Sequence, residues 1–175
     1  LVEIEKNNNA NNGTLRGLSL TSTKFGIAFT ARFLNQGNAL VNLHLDGTIQ
    51  VSTGATEMGQ GVNTKIAQIR AEAFGISTEA VQVMTTSTEK NHNTSPTAAS
   101  SATDINGAAA LLACNKIKAR LTELAVLIFR GDISNDLNEH MLVDSKLSDD
   151  IKFSDGKVIQ LSTGKDLVLT DLINT

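Results

Sequence analysis

The sequence predicts an α+β fold: a mixed sheet of hairpins in one layer, packed against helices in the other. Three observations predict it. Two short apolar alternations fold around Asp46-Gly47 and Asp155-Gly156, the signature of hairpin turns. Two longer stretches, residues 61–74 and 104–130, carry apolar residues at helical spacing. No internal period of repeat-protein length runs through the chain, which excludes a solenoid.

The elements follow in chain order. A short helix over Val2–Lys6 precedes Asn7-Asn8-Asn9-Ala10-Asn11-Asn12-Gly13, a polar run that favours turns and loops. Leu18–Thr23 and Phe25–Phe33 are rich in β-branched and aromatic residues and read as strands. Asn38–Ser52 reads as a hairpin whose register can be argued. A two-residue Asp46-Gly47 loop would set Asn42 against Val51 and His44 against Ile49, mixing polar and apolar on both faces. A three-residue Leu45-Asp46-Gly47 loop pairs Leu43 with Ile49 and Val41 with Val51, so that one face is wholly aliphatic and Gly47 takes the left-handed position. The second register is the one expected.

Val62, Ile66, Ile69 and Ala73 mark one face of a helix over Gly61–Phe74, with Gly75 as its stop. Val81 and Val83 alternate around Gln82 as in a strand. The long helix Asp104–Arg130 is expected to bury Ala108, Leu111, Leu112, Ile117, Leu121, Leu124 and Leu127, with Ser101 and Asp104 as a capping box. Residues 131–149 form an irregular acidic connection. Ile151–Phe153 and Val158–Leu161 make the second hairpin, and Thr170 is expected to cap a last, truncated helix.

Composition narrows the function. An apolar fraction of 41% supplies a core, but aromatics are 3% with no Trp or Tyr, so the core is aliphatic. A net charge of −3 without a basic cluster predicts no nucleic-acid partner. No apolar run is long enough to span a membrane and no signal peptide is visible. The lone Cys114 allows no internal disulfide and, within an apolar helical run, reads as buried; a cytoplasmic location is expected. His44, His92 and His140 stand too far apart to suggest metal ligands. The chain, opening on Leu1, reads as a single excised lobe, residues 1–175, of a longer polypeptide.

Two motifs carry the chemistry. Gly54-Ala55-Thr56-Glu57-Met58-Gly59-Gln60-Gly61 is a glycine-rich turn that opens a helix. A P-loop would place Lys and then Ser or Thr at the positions of Gln60 and Gly61, so neither the phosphate-binding charge nor the magnesium ligand is present. Glu57 within it reads as a structural hydrogen-bonding group at a helix start. The second motif, Asn93 to Gly107, packs Thr97, Ala98, Ala99 and Ser100 into a loop with almost no bulk before the long helix. Small side chains let a ligand approach the backbone closely. Hydroxyls and N–H groups offer donors, and the positive end of the helix favours an anion. Together the motifs imply a polar, phosphate-bearing cofactor.

The ordered set Arg16-Gly17-Leu18, Lys24-Phe25-Gly26, Phe33-Leu34-Asn35-Gln36, Asp46-Gly47, Thr56 to Gly61 and Asn93 to Gly107 resembles the molybdenum-cofactor-binding subunit of the xanthine dehydrogenase and aldehyde oxidase family, strongly over residues 13–121. The resemblance implies a molybdenum–molybdopterin cofactor held by Gly59, Gln60, Thr97, Ala98, Ala99, Ser100 and Thr103, with no protein ligand to the metal. It implies a substrate pocket lined by Phe29, Thr30 and Leu34, a purine or aldehyde substrate, and iron–sulfur clusters and FAD on other domains or subunits. Ala102 and Thr103 stand where some relatives carry Ser or Gly, and Ala31-Arg32 replaces the Val-Pro of others. The family's Gly-Gly-Gln loop, substrate-binding Arg and base Glu are not in this sequence, which implies no catalytic residue and no activity in this lobe alone. A phosphate- or nucleotide-binding module and a non-catalytic assembly domain are the alternatives.

Overall fold

The computed structural model describes residues 1–10, 13–92, 94–131 and 149–175. The sheet expected around the first hairpin forms as β1 (Ala39–Leu43), β2 (Ile49–Thr53) and β3 (Val81–Val83), with β1–β2 antiparallel and β2–β3 parallel. Leu43 pairs with Ile49 and Val41 with Val51, and Gly47 has φ 82°, so the three-residue loop and its register are as expected. The Asp46 carboxylate accepts from the Thr48 N–H and hydroxyl, which fixes the turn. Ile49 and Val51 are fully buried.

The parallel β2–β3 pair requires a crossover, supplied by α2 (Val62–Phe74). Val62, Ile66, Ala71, Ala73 and Phe74 are buried, and Gly75 stops the helix at φ 61°. α3 (Ala102–Arg130) packs across α2 and β1. Its buried residues are Asn106, Gly107, Ala110, Cys114, Thr122, Ala125 and Val126, whereas Ala108, Leu111 and Leu112 are exposed. The expected buried face is therefore corrected at Ala108, Leu111 and Leu112, whereas Ile117, Leu121 and Leu124 pack against the core, half-buried, and Leu127 is half-buried. Side-chain hydrophobicity points to the leucines, but the close α2–α3 approach selects the small residues: a Cβ on Gly107 would stand 3.0 Å from Ile69 Cδ1. Burial of Cys114 is complete, as expected.

The second hairpin forms as β4 (Ile151–Ser154) and β5 (Lys157–Gln160), turning at Asp155 and Gly156, both with positive φ. A third strand, β6 (Asp166–Val168), completes an antiparallel sheet. α4 (Leu169–Ile173) follows, with Val168 rather than Thr170 at its N-cap. The sheet, through Phe153 and Val158, and α4, through Leu169 and Leu172, dock into the core cluster containing Ile49, Phe74 and Cys114. Phe74 and Phe153 meet edge to face at 6.4 Å.

Two further expectations are corrected. α1 (Val2–Asn9) extends through the asparagines expected to break it. Leu18–Thr23 and Phe25–Phe33 are not strands, except that Arg32–Leu34 makes a 3-10 turn. A strand needs a neighbour for its N–H and C=O groups, and no described segment pairs with these residues; Leu20 is 98% exposed. The expected acidic connection, and His140 within it, lie outside the described residues at 132–148. Among the described residues no helix is long and apolar enough to cross a membrane.

Candidate functional site

The two motifs meet. The Thr56 N–H donates to Thr97 Oγ1 at 2.9 Å, and Thr86 Oγ1 donates to Ala55 O at 2.6 Å, pinning the glycine-rich turn from both sides. Gly54 lies so close to Thr94 that an added Cβ would stand 2.8 Å from Thr94 Cγ2. Between the loops lies a concavity of about 350 Å³ lined by Met58, Gln60, Val62, Lys65, Thr97, Ala98, Ser100, Ala102 and Thr103. Five of the residues singled out in the sequence, Gln60, Thr97, Ala98, Ser100 and Thr103, are brought to one surface. Gly59 and Ala99 sit beside them in the chain without lining it.

Backbone geometry sets this loop apart. Ala99 and Ser100 both have φ 55°, a left-handed conformation rare for residues with a side chain and rarer still in succession. Ser101 returns to φ −92°. Strain of this kind persists where the surrounding structure over-determines it and clusters at ligand sites. Ser101 holds the bend, since its N–H and hydroxyl both donate to Ala98 O, at 3.2 and 3.0 Å.

The two helix starts differ. Glu57 closes that of α2: Oε1 accepts from the N–H groups of Gly59 and Gly61 at 2.9 Å, and Oε2 from that of Asn63 at 3.0 Å. These bonds, led by that of Asn63, hold the Glu57 carboxyl below its ordinary value and give the residue the structural role expected of it. The start of α3 is open. The expected capping box does not form, because the Ser101 hydroxyl is turned to Ala98 and Ser101 makes no cap bond. Thus only one of the two helix ends remains free to meet an anion.

Gln60 is held within its own turn: Oε1 accepts from Met58 N–H at 2.6 Å and Nε2 donates to Thr56 O at 2.9 Å. One amide hydrogen and one oxygen lone pair are left. Lys65 Nζ donates to Gln60 O at 3.2 Å, setting a cation on the rim. Sequence reasoning passed over Lys65 and Met58; their placement at the first turn of α2 and beside Gln60 was the available signal.

Phe29, Thr30 and Leu34 do not line this concavity. Their segment is nevertheless tied to it. The Asn35 side chain brackets the Phe29 backbone, accepting from its N–H and donating to its C=O, each at 2.9 Å. Gln36 N–H donates to Ser95 Oγ at 3.4 Å, and Gly37 packs against Ile105 in the first turn of α3. Among the described residues no cluster of three or more His, Cys, Asp or Glu could hold a metal ion. Small side chains, hydroxyls and an open helix start fit a cofactor that presents an anionic, hydrogen-bonding body.

Comparison with known proteins places the chain in a family. A family model described as the molybdopterin cofactor-binding domain matches residues 2–173. A xanthine dehydrogenase of Dictyostelium discoideum is 50% identical over 121 residues, 69% of this chain and 9% of that protein. A xanthine dehydrogenase/oxidase of Mus musculus is 48% identical over 120 residues, likewise 69% and 9%. The chain thus spans about a tenth of the length of these curated relatives. The fold matches CO dehydrogenase from Oligotropha carboxidovorans, with a TM-score of 0.63 and 22% identity over 78% of this chain and 15% of that one. Quinoline 2-oxidoreductase from Pseudomonas putida 86 matches with a TM-score of 0.54 at 22% identity over 78% and 16%.

Proposed function

The chain belongs to the molybdopterin cofactor-binding domain family, and from that premise we propose that it supplies one wall of the cofactor site of a xanthine dehydrogenase-like hydroxylase acting on purines. The observation that supports the reading best is the concavity shared by Gln60 with Thr97, Ala98 and Ser100, beside the open start of α3. When bound, molybdopterin supplies the redox-active metal and the site of oxygen transfer to carbon; the protein's task is to bind, orient and exclude.

The residues divide that task. Thr97, Ser100 and Thr103 offer hydroxyls, and the N–H groups at the start of α3 face an anionic group with the helix's positive end. Gln60 offers its remaining amide hydrogen to a pterin edge. Ala98 and Ala99 are small enough to leave room at the metal. Gly59, at φ 96°, allows the chain to turn away from the cofactor. Phe29, Thr30 and Leu34 form part of a substrate wall that other lobes complete, and Gln36 and Gly37, next in the chain, tie that segment to Ser95 and Ile105 beside the cofactor loop. Other domains or subunits carry the iron–sulfur clusters and FAD. The remaining lobe of the molybdenum domain supplies the catalytic groups, and the assembly works in the cytoplasm. The similarity to xanthine dehydrogenases favours a purine over an aldehyde.

The test is turnover by the complete enzyme that contains this domain, with hypoxanthine and with an aromatic aldehyde as competing substrates. Preferred oxidation of hypoxanthine by a molybdenum-containing preparation is expected. Preference for the aldehyde would refute the substrate assignment, and absence of molybdenum would refute the cofactor assignment.

A further inference from the structure

Arg70 is the largest fully buried side chain among the described residues, and no carboxylate there pairs with it. Among the described residues its one hydrogen bond is from Nη2 to Gly107 O, at 3.4 Å, and Nε and Nη1 are buried without partners. Burial disfavours the charged form, but a guanidinium remains protonated in proteins. A buried cation left unpaired is costly, so its presence asks for a compensating anion.

Its place in the fold indicates where that anion sits. Arg70 lies on α2, whose first turn contributes Val62 and Lys65 to the concavity. It bonds to Gly107 on α3, one helical turn beyond Thr103, which also lines the concavity. The charge is therefore embedded in the helix pair beneath the cofactor loops, roughly 10 Å from them by helix geometry. Buried charges are screened far less by salt than exposed ones. We infer that Arg70 is an electrostatic positioning residue: a buried cation that stabilises the anionic cofactor from beneath the two loops without touching it.

The inference rests on the cofactor reading above and adds a residue that the loops do not contain. At roughly 10 Å and an effective dielectric of about 20, a unit charge pair is coupled by an amount equivalent to about tenfold or somewhat more in affinity. The same charge makes the empty domain less stable than it would be with an apolar side chain of similar length. Removing it leaves the carbonyl of Gly107 with its own bond inside the helix.

The experiment compares the complete enzyme as wild type, Arg70→Met and Arg70→Lys. Two quantities are read: the rate at which molybdenum leaves the protein during timed gel filtration, and the unfolding temperature of cofactor-free protein expressed without molybdenum. Arg70→Met is expected to shed molybdenum on the order of tenfold faster, while its cofactor-free form unfolds at a higher temperature than wild type. Arg70→Lys, which keeps the charge, is expected to retain molybdenum nearly as wild type does. A purely structural clamp gives the reverse pattern: the cofactor-free Met variant unfolds earlier or fails to fold, and Lys loses cofactor as Met does. That pattern, or wild-type retention by Arg70→Met, overturns the inference while leaving a loaded wild type consistent with the cofactor reading. A wild-type enzyme devoid of molybdenum refutes both.

Discussion

Thr97 Oγ1 accepts the backbone N–H of Thr56 at 2.9 Å, across 41 residues of sequence. Through this bond the glycine-rich turn and the small-residue loop become one wall, because each motif otherwise ends on its own helix. The position of Gln60 relative to Ser100 is therefore set by protein and does not wait for a ligand.

Replacing Thr97 tests that coupling. Thr97→Val keeps the shape and removes the acceptor, at a cost of about 1 kcal/mol. Thr97→Ser keeps the bond. In the complete enzyme Val is expected to lower molybdenum content and Ser to preserve it. Equal content in the two variants would remove this bond from the site's architecture.

Glu57 gives a pH signature. Its folded-state pKa lies below the ordinary value of 4.5 because three N–H groups bond to the carboxylate. A depressed folded pKa contributes stability that is present above the unfolded value and lost as pH falls through the folded one. Thermal unfolding of wild type and Glu57→Gln should therefore differ at neutral pH, with wild type the more stable. The difference should close as pH is taken below 4.5. A gap independent of pH would mean that the carboxylate's charge plays no part in capping α2.

Ala99 holds its left-handed conformation at φ 55°. Glycine adopts it freely, whereas a β-branched side chain strains it. Ala99→Gly is expected to retain molybdenum and fold, and Ala99→Val to lose cofactor and turnover in the complete enzyme. Cys114→Ser, in the α3 core, is expected to act on stability alone. Normal loading and turnover by Ala99→Val would show that the bend is not needed.

Cys114 is fully buried, and burial pushes its thiol above the usual range. Both effects suppress the reactive thiolate. Alkylation by iodoacetamide at pH 8 should be slow in native protein and rapid once the chain is unfolded in denaturant. Native labelling at the unfolded rate would contradict the packing of α2 on α3.

Much of this was legible in the sequence, for identifiable reasons. The register of the first hairpin followed from one aliphatic face, since only one loop length pairs Val41 with Val51. The convergence of the two loops was expected because each opens a helix and a single cofactor would have to touch both. Other features depend on partners that pattern cannot show. Leu18–Thr23 has strand composition but no described neighbour to pair with. The buried face of α3 was misjudged at Leu111 and Leu112 because helix approach at Gly107 rewards small size over hydrophobicity. Arg70 was invisible for the converse reason: pattern reading places arginines outside, and only tertiary packing reveals one at the centre of the α2–α3 interface.

The most direct measurement is the ratio of molybdenum to protein in the complete enzyme, comparing wild type with a Gln60→Ala, Ser100→Ala double variant whose fold is confirmed by its unfolding temperature. The two residues face one concavity from different motifs. Stoichiometric molybdenum in wild type and severe depletion in the double variant are expected. Undiminished molybdenum in the double variant, or none in wild type, would contradict the claim that these two loops hold the cofactor.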